Sequence, residues 1–399
     1  MLVGLIGKPN TGKSSFFNAA TLLDVPVANY PFTTIEPNVG VAYVMKKCIH
    51  QELGLMDNPK NSLCVHGIRY IPVKLVDVAG LIPDASKGMG LGNKFLDELR
   101  RADALIHVVD ASGSTDKEGR VVEPGSHDPI EDVLFIEKEY DAWIFGILKK
   151  DWDKVSHVPD QTKVREAIIE KLAGLEIGAA SFGEAVRRSG LSQKKMQEWN
   201  DDDLFLFVSE IRKISKPILI AANKCDLVTA KPNIERLRQT GRIVIPTSAA
   251  AELLLRRASQ KGLIEYIPGS STFSFRQGVQ LNAEQERALR FVDEKVLKVW
   301  GNTGVQQALN EAYFTLLGGV VVYPVEDENK FTDKNGNVLP DAYIVPRGTT
   351  AKDLAFKIHT ELGQGFLYAI DAKRKQRLGA DHVIQDGDVI KIVSTARRA

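Results

Sequence analysis

The chain has 399 residues, 44% of them hydrophobic and 26% charged, with a formal net charge of +1. That length allows the cores of two or three globular domains, and the near-neutral charge excludes a globally cationic nucleic-acid binder, leaving local patches for any such contact. No apolar stretch approaches the roughly 20 residues of a spanning helix. The N-terminus opens on strand-like residues rather than a charged, cleavable leader, so a cytoplasmic location without membrane contact is expected. Cys48, Cys64 and Cys225 form neither a CxxC pair nor an even framework. They read as core or surface thiols in a reducing compartment, a pattern that argues against structural zinc.

In chain order, the apolar run Leu2 to Ile6 predicts a strand that feeds Gly7-Lys8-Pro9-Asn10-Thr11-Gly12-Lys13-Ser14, a complete GxxxxGKS loop. The glycines let successive N–H groups turn toward phosphates, Lys13 reaches the β- and γ-phosphates, and Ser14 offers a hydroxyl to Mg²⁺. Phe16 to Leu23 predicts the helix whose positive end completes this cradle, with Asn10, Thr11, Gly12 and Ser15 as further contacts. After a run at Val39 to Met45, the strand-like Ile71 to Val76 ends in Asp77-Val78-Ala79-Gly80. There a carboxylate can hold Mg²⁺ through water and the Gly80 N–H can meet the γ-phosphate. Ala104 to Val109 is another strand. Pro217 to Ala222 ends in Asn223-Lys224-Cys225-Asp226, whose carboxylate suits the paired donors of guanine, which adenine lacks. Past Ile243 to Ile245, Thr247-Ser248-Ala249 is a tight polar turn that places Ser248 and Ala249 for contact with the guanine carbonyl. Four stations in this order point to GTP and GDP with Mg²⁺.

The alternation of these strands with helical segments predicts an α/β doubly wound, mostly parallel sheet with ligands beyond the strands' carboxyl ends. Asp77 and Asn223 are separated by far more than the about 30 residues of one strand–helix–strand unit. The excess reads as a helical insertion over Ile130 to Lys150, Asp160 to Leu172, Phe182 to Arg188, Ser192 to Trp199 and Asp203 to Ile214, with Ser192 and Asp203 as N-caps. Glu284 to Trp300 and Thr303 to Leu316 predict two more helices. Beyond Gly318-Gly319, a ββαβ order with a turn at Asp333 to Asn337 and a helix at Thr350 to Leu362 predicts a small β module. The expected division is 1–111 with 215–317 for the nucleotide domain, 112–214 for the insertion and 318–399 for the C-terminal module.

These motifs resemble the Obg-related translation-factor GTPases, in particular the YchF branch in its archaeal form, over almost the whole length. The resemblance rests on the phosphate loop with Pro9-Asn10, on Asn29-Tyr30-Pro31-Phe32-Thr33-Thr34-Ile35-Glu36-Pro37-Asn38, on Asp77-Val78-Ala79-Gly80-Leu81 and on Val345-Pro346-Arg347-Gly348-Thr349-Thr350. It implies a P-loop GTPase domain and a C-terminal ubiquitin-like β-grasp, the TGS domain, with a ribosome-associated role. Among related GTPases Thr34 would be the Mg²⁺ ligand that closes over the γ-phosphate, with Thr33 as the alternative. Leu81 stands where many place a water-orienting glutamine, which implies slow intrinsic turnover. Asn10 corresponds to a K⁺ ligand in some relatives, so K⁺ stimulation is a further expectation. Many YchF relatives lack the base-reading aspartate and accept ATP; this chain keeps Asp226, which favours GTP.

Paired basic residues at Arg187-Arg188, Lys194-Lys195, Arg256-Arg257, Lys373-Arg374-Lys375 and Arg397-Arg398 read first as solvated faces. Those on the insertion and the β-grasp offer ribosomal RNA a contact, with no DNA partner expected. His107 and the four tryptophans read as packed residues. Two functions stay open: a regulatory GTPase switch, and a nucleotide-sensing RNA- or ribosome-binding module with incidental hydrolysis. An enzyme carrying the β-grasp as an accessory lacks residues for a second catalytic domain. The sequence assigns no oligomeric state.

Overall fold

The computed structural model of the chain describes residues 1–22, 38–78, 99–175 and 177–395. The expectations for Thr33, Thr34, Gly80, Leu81 and Arg397-Arg398 lie outside the described residues. In chain order the chain forms β1 (Leu2–Ile6), α1 (Lys13–Thr21), β2 (Val39–Lys47), β3 (Leu63–Val65), β4 (Ile68–Asp77) and β5 (Ala104–Asp110). There follow α2 (Pro129–Lys149), α3 (Trp152–Ser156), α4 (Gln161–Lys171), α5 (Ala179–Arg188) and α6 (Asp201–Ser215). Next come β6 (Ile218–Asn223), α7 (Ala230–Gln239), β7 (Val244–Pro246), α8 (Ala249–Gln260), the short pair β8 (Ile264–Glu265) and β9 (Ser274–Phe275), α9 (Ala283–Val292) and α10 (Val305–Asn310). The C-terminal elements are β10 (Val320–Val325), β11 (Tyr343–Val345), α11 (Ala351–Ile358), α12 (Thr360–Gln364), β12 (Phe366–Asp371), β13 (Gln376–Leu378) and β14 (Asp388–Ser394).

Two compact units result, one of residues 2–19 and 76–308, the other of Met1, 20–75 and 309–399. In the larger unit β1, β5, β6 and β7 run parallel in that order, with Val3 opposite Ala104, Leu105 opposite Ile218 and Ile220 opposite Val244. Every residue of β5 is buried, as expected of a central strand in a parallel sheet covered on both faces. Val109, Ile220 and Val244 pack with Val133 of α2 and with Ile234 and Leu237 of α7. This core fixes the loops at the strands' carboxyl ends.

The helical insertion is real, but two of its predicted features differ. Ser192 to Trp199 is a turn followed by one 3₁₀ turn at Met196–Glu198 rather than a helix. The cap of α6 is Asn200, not Asp203: Asn200 Oδ1 accepts from the Asp203 N–H at 2.9 Å while Asp203 Oδ2 accepts from the Asn200 N–H at 2.9 Å. This reciprocal box satisfies two otherwise orphan donors. The helix predicted over Glu284 to Trp300 is interrupted, α9 passing into a π-helical stretch at Asp293–Leu297. Trp152 and Trp199 stack at 5.8 Å between centroids, both 5% exposed, and so serve the core. Buried Arg212 on α6 donates to Asp141 of α2 at 2.6 Å and lies 3.5 Å from Glu137, which Arg242 holds at 2.7 Å.

In the smaller unit the β3–β4 hairpin pairs Leu63 with Tyr70 and Val65 with Ile68. The C-terminal sheet has the order β11-β10-β14-β12-β13, with β10 and β14 parallel. Its inner face packs Val320, Val322 and Ile390 against Leu354 of α11. Thr350 and Asp353 cap α11 reciprocally. The ββαβ reading missed β12 although Phe366 to Ile370 is an apolar run, and missed β13, whose three residues include the polar Gln376-Arg377. The irregular loop from Cys48 to Ser62 attaches to residues 338–342 of this module: Asn58 N–H donates to Val338 C=O at 3.0 Å, Lys60 N–H to Pro340 C=O at 2.6 Å, and Ala342 N–H to Asn61 Oδ1 at 2.9 Å.

Candidate nucleotide site

The phosphate-loop residues follow β1 and lead into α1. Gly7 has φ 156° and Gly12 φ 93°. A Cβ on Gly7 would lie 2.5 Å from the Val108 carbonyl oxygen, and one on Gly12 2.2 Å from Asn223 Nδ2. Both positions therefore need glycine for space as well as conformation. Asn10 is left-handed at φ 63°, and its Nδ2 donates to the Gly119 carbonyl at 2.8 Å. The oxygen end of the same amide is the atom a cation would use. Lys13 Nζ contacts Asp77 Oδ1, so an ammonium already sits against the carboxylate expected near the metal. Ser14 is exposed and Ser15 half-buried at the start of α1.

The base-side loops are joined to the phosphate loop through one amide. Asn223 Nδ2 donates to the Thr11 carbonyl at 2.7 Å, and Asn223 Oδ1 accepts from the Ala249 N–H at 3.0 Å. Asn223 thus braces three loops from a buried position. Asp226 Oδ1 accepts from Ser248 Oγ at 2.8 Å, which orients the half-buried carboxylate at the loop's rim. Thr247 N–H donates to Ala222 C=O at 2.9 Å, Cys225 N–H to Thr247 C=O at 3.1 Å, and Trp300 Nε1–H to Cys225 C=O at 3.1 Å. Ser248 and Ala249 begin α8, where Ser248 Oγ also accepts from Ala251 N–H.

Sequence reasoning passed over Asp110. It ends β5, where ligand-side residues cluster in such sheets; that position was the available signal. Lys224, left-handed at φ 59°, reaches Asp110 Oδ2 at 2.7 Å, and Ser112 and Ser114 donate to the same carboxylate at 2.5 and 2.8 Å. Burial disfavours the charged form, but the bonds from Lys224, Ser112 and Thr115 outweigh it and hold Asp110 below the ordinary carboxylate range. Lys8 was equally silent in the sequence. Its Nζ meets Asp132 at 2.6 Å and the Thr115 carbonyl at 3.0 Å, and His127 reaches the same Asp132 oxygen at 2.7 Å. Burial nevertheless pushes Asp132 up. Arg256 is 4% exposed and paired with Glu252; that basic residue belongs to the core, not to a surface patch.

A glycine-built loop bound to a second polar loop at the carboxyl ends of parallel strands defines a P-loop nucleotide-binding protein. Family models agree: residues 2–138 match a 50S ribosome-binding GTPase model, residues 221–327 the Obg-like GTPase YGR210-like, G4 motif-containing domain, and residues 331–394 the TGS domain. The chain is 51% identical to a GTP-binding protein of Methanocaldococcus jannaschii, covering 99% of this chain and 100% of that one. It is 29% identical to a ribosome-binding ATPase YchF of Bacillus subtilis, over 98% of each chain. The crystal structure of a GTP-binding protein from Pyrococcus horikoshii superposes with TM-score 0.74 at 44% identity, covering 99% of this chain and 100% of that one. The chain belongs to the Obg-like GTPases, as a GTP-binding member of the YchF type with a C-terminal TGS domain.

Proposed function

We propose that the protein hydrolyses GTP to GDP and phosphate and acts as a nucleotide-dependent switch on the ribosome. The observation that carries this reading is the Asn223 brace from Thr11 to Ala249: it makes the phosphate loop and the base-reading loop one preorganised surface. Asp226, oriented by Ser248, accepts from the two neighbouring donors of guanine. Lys13 leaves Asp77 for the β- and γ-phosphates, and the freed carboxylate, with the Ser14 hydroxyl, is available to hold hydrated Mg²⁺ from the loop side. Mg²⁺ held there would neutralise phosphate charge. Thr34 and the Gly80 N–H complete the γ-phosphate shell in this proposal. Gly12 and the N–H groups opening α1 face the phosphates.

Catalysis in such a site comes from positioning and charge neutralisation. With Leu81 after the glycine, turnover is slow unless a cation or partner supplies the missing group, and Asn10 Oδ1 is the candidate K⁺ ligand. Ribosome association follows the names of the YchF relatives, and a cytoplasmic setting goes with it. Fluorescent GTP and ATP titrations of the native chain and Asp226→Asn test the base. Equal affinity of the native chain for both nucleotides would remove the GTP assignment, while loss of GTP preference in the variant supports it. Released phosphate in matched KCl and NaCl tests the cation, equal rates counting against it. Sedimentation with ribosomes in GDP and in a non-hydrolysable GTP analogue tests the switch, and an association blind to the nucleotide contradicts it.

A further inference from the structure

Within the smaller unit, Cys48, His50, Asp57 and Cys64 bring one ligand atom each to within 4.8 Å of one another. We propose that these four side chains form a zinc site that fastens the loop between β2 and β3. Cys48 Sγ lies 3.2 Å from Asp57 Oδ2, His50 Nδ1 3.2 Å from the same oxygen, and Cys64 Sγ 3.5 Å from His50 Nδ1. Around zinc, with Zn–S near 2.3 Å and Zn–N and Zn–O near 2.0 Å, a tetrahedron has edges of about 3.3–3.8 Å. These three of the six ligand-to-ligand separations already approximate those edges and the other three lie within 4.8 Å, so the four groups need only draw together about the ion. Two thiols with one imidazole and one carboxylate form a borderline-soft set that suits zinc over calcium or magnesium.

The charge balance permits occupancy. Arg69 is fully buried and its Nη1 lies 3.1 Å from Asp57 Oδ2, while its Nη2 donates to the Leu339 carbonyl and its guanidinium stands 5.5 Å over the Tyr323 ring. The Arg69–Asp57 pair is neutral, and without metal so are the two thiols. Zinc displaces one proton from each thiol to solvent, leaving two thiolates that balance its two charges, so no net charge is buried. Arg69 then holds Asp57 from outside, the usual arrangement for an anionic ligand. His50 and Cys64 are half-buried, which provides an entry path.

The position gives the site a purpose. Residues 48–62 contain neither helix nor strand, and loops of that length inside compact domains are uncommon unless something holds them. Asn58, Lys60 and Asn61 of this loop carry the backbone contacts to residues 338–342, so a metal at its two ends stiffens the surface on which the TGS domain rests. The spacing, Cys-x-His, then Asp, then Cys, lacks a CxxC pair, and for that reason the linear pattern argued against structural zinc; the side chains meet only in the fold.

The test uses the full chain under reductant. It is stripped with chelator, its three thiols are confirmed, and it is titrated with Co²⁺ and then Zn²⁺, while metal content is measured on protein expressed with added zinc. Expected are one zinc per chain, tetrahedral Co²⁺ visible bands with thiolate-to-cobalt charge transfer, and displacement of Co²⁺ by Zn²⁺. Cys64→Ser and Asp57→Asn should each weaken Co²⁺ binding more than about tenfold, and Cys225→Ser should leave the spectrum intact. Absence of the charge-transfer band in the native chain overturns the site whatever the variants do. So does a band that survives Cys48→Ser and Cys64→Ser, or one that Cys225→Ser abolishes.

Discussion

Asn223 illustrates how a residue chosen for one task is constrained by another. Its amide was readable as part of a base-recognition motif, yet both ends are committed to Thr11 and Ala249. Asn223→Ala leaves a carbonyl and an N–H without this partner, at about 1–3 kcal/mol. GDP affinity should therefore fall by roughly 10–100-fold, as read by fluorescent-nucleotide titration; an unchanged affinity would show that the brace does not organise the site. His107 offers a pH test. Burial is the main cause lowering its pKa from 6.5 to about 3, so the unfolded chain takes up a proton that the native chain refuses. Stability from this residue is complete above the unfolded value and is lost as pH falls from about 6.5 toward 3, about 2 kcal/mol being gone by pH 5. The cavity of about 340 Å³ beside it, lined by Phe135 and Ile136, has room for His107→Phe. Denaturant unfolding at pH 7.5 and pH 5 should show the variant with a flatter dependence; an equal slope would reassign the acid sensitivity.

At the element scale, charge pairs on the insertion divide by burial. Arg212 joins α6 to α2 through Asp141 and lies near Glu137, whereas exposed Arg188 pairs with Glu184 within α5. Removing one partner of a buried pair leaves an uncompensated charge, so Arg212→Ala should cost about 3–5 kcal/mol. Arg188→Ala should cost less than about 1 kcal/mol. Urea midpoints of the two variants decide the point, and similar losses would refute the division. Both arginines look alike in the sequence. Helix existence was legible from apolar spacing, as α2 and α6 show, while the start of α6 was displaced because the acidic run Asp201 to Asp203 offers several caps. Only the reciprocal bonds of Asn200 and Asp203 select one.

For the whole molecule, the proposed nucleotide site falls in the larger unit and the Cys48, His50, Asp57 and Cys64 cluster in the smaller one. GDP with Mg²⁺ at about 100 times its dissociation constant should add about 2.7 kcal/mol to the state that binds it. Hydrogen exchange should slow in 7–15, 223–226 and 247–251 of the larger unit, with 48–64 of the smaller one unchanged; protection confined to the C-terminal module would contradict the site. The sequence by itself determined the phosphate loop, the base-reading run, the mostly parallel character of the sheet and the presence of a small C-terminal β module, because each is written in contiguous residues with a fixed local geometry. Tertiary structure alone decided what meets across the fold: Asn223 with Thr11, Lys224 with Asp110, Lys8 with Asp132, and the Cys48, His50, Asp57 and Cys64 cluster. Those contacts join residues far apart in the chain or at irregular spacing within a loop. Neither helical nor strand periodicity encodes them, and only the packed backbone sets their distances.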